Sequence, residues 1–229
     1  MRRLTRRHQA ALETPGYDKH KRYPIDEGLQ MLASFPKPKF DETVELCVRL
    51  GIDPKRTDQM VRGSVSLPKG IGKTRTVAVF AEGEHAEAAK EAGADIVGTE
   101  DLAKRIQEGF MDFDVCIAHP SMMRHVGRLG KILGPQGKMP SPKSGTVAAD
   151  IGAAVREFKA GKVEFRADSG ANVHVPVGKR SFAAEDLEAN IVHFVDHLRG
   201  LKPGAVKGAF LKKVCVSASM SPGITLDLS

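Results

Sequence analysis

The sequence predicts a mixed α/β protein in two parts, a discontinuous α+β domain with a small parallel α/β domain inserted into it. Three observations carry this. Alternating apolar and polar stretches at both ends of the chain read as half-buried strands flanking amphipathic helices. In the middle, short continuous apolar runs alternate with helix-like segments, the pattern of strands covered on both faces. The 229 residues are 41% hydrophobic and 28% charged, enough to bury a core and too apolar for wholesale disorder.

Taken in order, residues 24–34 read as a helix with Pro24 at its start and Ile25, Leu29 and Leu32 on one face, stopped by Pro36 and Pro38. Val44, Leu46, Val48 and Leu50 alternate with Thr43, Glu45, Cys47 and Arg49 in a half-buried strand. A second strand over 61–67 runs into Pro68-Lys69-Gly70, where the style changes. Strands are expected at 76–80, 95–97 and 115–118, and helices at 84–92, 101–107, 121–129 and 146–159, the last capped by Gly161. Then Val163 and Phe165 open a hairpin that turns at Asp168-Ser169-Gly170 and returns through Val173, Val175 and Val177. A long amphipathic helix over 182–201 and a strand over 210–220 complete the chain. The expected split domain is 1–67 with 160–229, and the insert is 68–159; two chain crossings at one place would make a hinge.

Charge says more by its location than by its total of +7. Residues 68–159 carry 13 Lys/Arg against 12 Asp/Glu, so most of the excess sits outside the insert. The first 22 residues form a basic arm (Arg2, Arg3, Arg6, Arg7, Lys19, Lys21, Arg22), which suits a polyphosphate partner because each neutralised phosphate releases counterions. Within the insert, 124–143 holds Arg124, Arg128, Lys131, Lys138 and Lys143 and no acid, a basic Gly/Pro-rich edge. No apolar run approaches the roughly 20 residues that span a bilayer. The basic N-terminus lacks the apolar core of a signal peptide, so a cytoplasmic protein is expected. Cys47, Cys116 and Cys215 form no CxxC pair and are expected as buried reduced thiols.

Candidate catalytic motifs do not hold. Gly70-Ile71-Gly72-Lys73-Thr74 ends like a phosphate-binding loop, but Leu67 occupies the place of its first glycine and a β-rich run follows where a helix is needed. His193 and His197 lack a glutamate between them and a third ligand, so a packed or solvent-edge pair is expected rather than a metal site. Asp41-Glu42, Asp112 and Asp114 suggest no common pocket; Asp112 and Asp114 are expected to flank a strand start. With ten Phe, two Tyr and no Trp, the stacking signature of single-strand RNA readers is missing. No catalytic residue, metal or cofactor is expected. A folded RNA read by phosphate, sugar hydroxyl and shape fits better than an enzyme substrate.

Several phrases in order and spacing resemble one family, that of large-subunit ribosomal protein L-one of the bacterial type. They are Lys39-Phe40-Asp41-Glu42-Thr43-Val44-Glu45, Leu50-Gly51-Ile52-Asp53-Pro54-Lys55, Val61-Arg62-Gly63-Ser64-Val65-Ser66-Leu67-Pro68 and Met111-Asp112-Phe113-Asp114. Leu129-Gly130-Lys131-Ile132-Leu133-Gly134-Pro135-Gln136-Gly137-Lys138-Met139-Pro140, Pro176-Val177-Gly178-Lys179, Lys207-Gly208 and Ser219-Met220 follow. The resemblance implies a split α+β domain with a Rossmann-like insert. It implies binding to the stalk segment of 23S rRNA, contact with exit-site tRNA during release of deacylated tRNA, and repression of its own operon through its mRNA. It implies a monomer within the ribosome, with no membrane and no small-molecule substrate. Carried over by motif, the rRNA-binding set is Lys39, Phe40, Thr43, Glu45, Arg166, His174, Lys207, Ser219 and Met220; Arg128, Lys131, Lys138 and Lys143 would face tRNA. Thr43 and Glu45 fall on the strand face opposite Val44 and Leu46, where a hydroxyl and a carboxylate can meet sugar hydroxyls or base amines. The chain departs from the family at Ser221, where glycine is usual; a side chain there would obstruct close backbone approach or a positive φ.

Overall fold

The computed structural model describes residues 5–227. Arg2 and Arg3 of the expected arm lie outside them. The rest of the arm is built into the fold. Thr5 caps helix α1 (Arg6–Leu12), its hydroxyl accepting from the His8 N–H. Strand β1 (Arg22–Tyr23) follows, then α2 (Ile25–Ser34), β2 (Thr43–Leu50) and β3 (Arg62–Ser66). Next come β4 (Val77–Phe80), α3 (Glu84–Glu91), β5 (Ile96–Gly98), α4 (Glu100–Gln107), β6 (Val115–Ala118), α5 (Met123–Arg128), α6 (Gly130–Leu133) and α7 (Ile151–Ala160). The chain ends with β7 (Lys162–Arg166), β8 (Asn172–Lys179), α8 (Ala184–Gly200), β9 (Leu211–Ala218) and β10 (Ile224–Leu226).

These elements group into two compact units, one of residues up to Gly72 and from Phe165 onward, the other Lys73–Glu164. Both boundaries fall five residues later than 67/68 and 159/160. Residues 69 and 70 are held to the first unit by the buried Asn190 on α8. Its amide accepts from the Lys69 N–H and donates to the carbonyls of Gly70 and Val177. At the other boundary, Lys162 pairs with Glu157 at 2.6 Å and the Glu164 carboxylate accepts from Ser144 and Thr146, all within the second unit. Burial nevertheless holds the Glu164 carboxyl above its ordinary range.

The first unit is a five-stranded sheet in the order β1-β10-β9-β2-β8, and β3 and β7 form a separate two-stranded ribbon. β2 is antiparallel to both its neighbours. Val44, Leu46 and Val48 are fully buried, while α2 and α8 pack on each other and on the sheet. Gly28 lets α2 settle closely on β10, since a Cβ there would come within 2.6 Å of Leu226. The unit is not purely antiparallel: β1 runs parallel to β10. That two-residue strand and the three-residue β10 are too short for periodicity to reveal. They are fixed instead by the buried Tyr23, whose hydroxyl donates to Gly16 O and accepts from Asp18 N.

The second unit is a three-stranded parallel sheet, β5-β4-β6, with helices on both faces. Ala78, Phe80, Cys116 and Ala118 pack against Leu102 and Ile106 from α4, Val126 from α5 and Leu129 at the α5–α6 junction. Val77, Val79, Val115 and Ile117 pack against Ala89, Ile151, Val155 and Phe158 from α3 and α7. Burial on both sides explains why these strands read as continuous apolar runs. Asp114 does mark a strand start: it accepts from the Thr76 N–H and pairs with Lys73 at 2.9 Å. The helix expected from residue 146 begins only at Ile151. Thr146 is instead a strand-like anchor, its carbonyl accepting from Ala118 N and its hydroxyl bonded within the 141–146 turn, and Asp150 supplies the cap. Gly161 ends that helix in the left-handed region at φ +114°.

Candidate nucleic-acid interface

The face of the first unit's sheet opposite α2 and α8 is polar because β2 alternates. Its residues Thr43, Glu45, Cys47 and Arg49 remain half-buried or exposed. Register extends the pattern sideways. Glu45 lies between Pro176 and Ser217, Cys47 between His174 and Cys215, and Arg49 between Asn172 and Lys213. Cys47 Sγ is 3.8 Å from His174 Nε2, and His174 Nε2 is 3.8 Å from an Asp168 oxygen. Hydrogen bonds from the Asn172 and Gly170 N–H groups hold the Asp168 carboxyl below its usual range. The same carboxylate closes the β7–β8 turn at the expected place, with Ala171 at φ +62°.

At the Thr43 end the face has a fixed rim. Lys179 Nζ donates to Thr43 Oγ1 at 2.9 Å, Ser219 N–H donates to Thr43 O at 3.1 Å, and Met220 N–H donates to Glu42 Oε1 at 2.9 Å. Phe40 and Met220 stand 54% and 49% exposed there, two of the four large apolar side chains left in water among the described residues. Exposed apolar groups beside hydroxyl and carboxylate groups suit a nucleotide surface.

Beneath this rim lies its fastener. Glu42, 1% exposed, forms an ion pair with the Arg180 guanidinium, which is also almost wholly buried. Arg180 Nη2 donates to the carbonyls of Leu32 and Phe35 at the end of α2, where the helix dipole favours a cation. One buried pair thereby joins the end of α2, the start of β2 and the β9–β10 turn. In the sequence Glu42 looked like half of an unconnected carboxylate pair; its partner is 138 residues away, so no local signal exposes it. The neighbouring Asp41 caps the 179–182 turn by accepting from Ser181 N and Oγ.

The structure brings Phe40, Thr43, Glu45, His174, Ser219 and Met220 onto one face or its rim, with Lys39 exposed in the segment leading to it. Arg166 and Lys207 stand apart from that cluster. Arg166 is exposed on the ribbon strand β7, and Lys207 is exposed in the loop that reaches the far end of β2, where Gly51 N–H donates to Phe210 O. Residues missed in the sequence include Lys179 beside Thr43, and Arg49 and Lys213 at the far end; Arg49 shares the outward alternation of Thr43 and Glu45, which was the available signal.

Three expectations need correction. Only Cys116 is a buried thiol, with burial pushing its pKa up to about 12. Cys47 and Cys215 are half-exposed because they sit on the outward beat of their strands; partial burial raises the Cys47 pKa. Ser221 has no positive φ, and its hydroxyl turns inward to accept from Ala218 N at 2.8 Å, so it closes the turn rather than blocking the face. In the second unit, Arg128 and Lys131 are exposed on α5 and α6, and Lys143 on a separate turn. Lys138 is not available as a free cation: its Nζ donates to Met111 O at 3.1 Å and lies 4.9 Å from the centre of the Phe113 ring. His197 meets Phe165 edge-on, and burial lowers its pKa, as befits a packed ring.

The family model for the Ribosomal protein L1p/L10e family matches residues 32–222, a span that holds β2, β8, β9 and the Glu42–Arg180 pair. The chain belongs to that family. It is 52% identical over 210 residues to the large ribosomal subunit protein uL1 of Kosmotoga olearia, covering 92% of this chain and 91% of that one. It is 54% identical over 213 residues to the protein of the same name from Myxococcus xanthus, covering 92% and 90%. With that of Alkalilimnicola ehrlichii it shares 51% over 229 residues, covering 100% and 98%. Membership in the L1p/L10e family agrees with the mixed α/β architecture and its parallel sheet. No helix among the described residues is long and apolar enough to cross a membrane.

Proposed function

We propose that this chain is a structural constituent of the large ribosomal subunit in the cytoplasm and binds the stalk segment of 23S rRNA through the open sheet face of its first unit. It acts by binding, not by catalysis. The observation that carries this reading is the rim: Ser219 N–H donates to Thr43 O, Met220 N–H donates to the Glu42 carboxylate, and the Glu42–Arg180 ion pair backs them both. Such a surface is set before its partner arrives, so little ordering cost falls on binding. Thr43, Glu45 and His174 offer hydroxyl, carboxylate and imidazole to sugar hydroxyls and base edges, and Lys39, Lys179 and Arg49 offer charge to phosphates.

In this reading the split unit, 1–72 with 165–229, is the rRNA-binding domain and 73–164 the insert. Arg128 and Lys131, with Lys143, face exit-site tRNA as it leaves, and an operon mRNA that imitates the ribosomal site occupies the same sheet face, allowing repression. The protein works as a monomer within the ribosome. Names and identity of the relatives support the ribosomal part, and the basic 124–143 stretch supports the tRNA part.

Filter or gel-shift titration of a stalk rRNA fragment tests the reading. Tight binding is expected, with log affinity falling linearly in log salt concentration. Affinity no better than for an unrelated hairpin of equal length would contradict it.

A further inference from the structure

We infer that the far end of the same sheet face carries a phosphate-binding cleft, built by the basic loop before β1 and the start of β9, for a backbone stretch of the bound RNA. The inference rests on the RNA reading above and adds a second anchoring site to it. The cleft has a volume of about 220 Å³ and is lined by Lys19, His20, Arg22, Lys212, Lys213 and Thr225. Five of its six lining residues are basic and none is acidic. It adjoins a larger groove of about 430 Å³ that shares Arg22, Lys212, Lys213 and Thr225.

Its wall is fastened in place. Tyr17 OH donates to Gly223 O, Tyr23 OH accepts from Asp18 N, and Asp227 N–H donates to Tyr23 O. The loop's acids are Glu13, at the end of α1, and Asp18, whose Oδ1 accepts from the His20 N–H. Among the described residues no carboxylate pairs with Lys19, Arg22, Lys212 or Lys213. A folded protein leaves four such cations unpaired side by side at an electrostatic cost, which a polyanion would relieve.

Register places the cleft relative to the rim. Lys213 lies opposite Arg49, six residues along β2 from Thr43, or roughly 20 Å at about 3.3 Å per residue. Cys47 and Cys215 occupy the stretch between, and Thr225 on β10 pairs with Cys215. The cleft and the rim therefore share one face, and an RNA helix lying along it would reach both. The rim reads nucleosides and the cleft holds charge.

The test is the salt dependence of stalk-fragment binding for wild type, Thr43→Val, and the triple variant Arg22→Ala, Lys212→Ala, Lys213→Ala, each checked for an unchanged melting curve. The triple variant is expected to lower the log–log slope by about two to three, roughly one for each phosphate that is no longer neutralised. Thr43→Val is expected to weaken binding with the slope unchanged. An unchanged slope in the triple variant, with wild type binding tightly, would overturn the cleft alone. Failure of wild type to bind would overturn the RNA reading and the cleft with it. Micromolar binding of inorganic tripolyphosphate by wild type, lost in the triple variant whose RNA slope stays unchanged, would reassign the cleft to a free anion.

Discussion

Arg180→Met is expected to destabilise the protein by about 3–5 kcal/mol, because it strands the Glu42 carboxylate in a site that is 1% exposed. That is a fifth or more of the roughly 5–15 kcal/mol that holds a typical domain together. The loss has two parts: an unpaired buried charge, and the carbonyls of Leu32 and Phe35 left without their donor. Urea unfolding followed by circular dichroism reads it as a lower midpoint. Coupling distinguishes this account from simple loss of packing. Adding Glu42→Leu to Arg180→Met removes the stranded charge, so the double variant is expected to be more stable than the single one. Met220 loses its anchor in the double variant, which lacks the Glu42 carboxylate, so RNA affinity falls there even where the protein remains folded. A single variant within about 1 kcal/mol of wild type would show that the pair does not fasten the rim.

Thr43→Val combined with Glu45→Ala makes the opposite demand. Both side chains face away from the core, so the melting temperature is expected to change little. RNA affinity is expected to fall by about 2–4 kcal/mol, roughly thirty- to a thousand-fold, because partner hydroxyls and amines would be buried without bonds. Gel shift of the stalk fragment at fixed salt measures it. Wild-type affinity in the double variant would mean that the reading face lies elsewhere on the molecule.

Much of this was legible in the residues, for reasons that vary by element. β2 declared itself because Val44, Leu46, Val48 and Leu50 alternate with polar residues over a full strand, so which side chains face outward follows from period two alone. The same rule applied to Cys47 and Cys215 would have placed them on the open face; chemical habit, that cysteines bury, overrode the pattern and was wrong. The ordered arm was hidden because β1 owes its existence to one tyrosine and to β10, both long-range effects. The Glu42–Arg180 pair was hidden for the same reason. Thr146 misled because its backbone serves β6 across the turn, which helix periodicity does not register. Lys138 misled because a surface-looking lysine in a Gly/Pro-rich segment folds back on Met111 and Phe113.

Native thiols give the most direct reading of the central claim, since Cys47 and Cys215 sit mid-face and Cys116 is buried in the other unit. Iodoacetamide labelling resolved by mass spectrometry would follow all three, free and with saturating stalk rRNA. In the free protein Cys47 and Cys215 are expected to label well ahead of Cys116, whose pKa of about 12 leaves almost no thiolate. RNA is expected to slow Cys47 and Cys215 together, by about tenfold or more if they are opened only when the complex dissociates. Labelling of both at the free-protein rate in a fully bound sample would contradict the account.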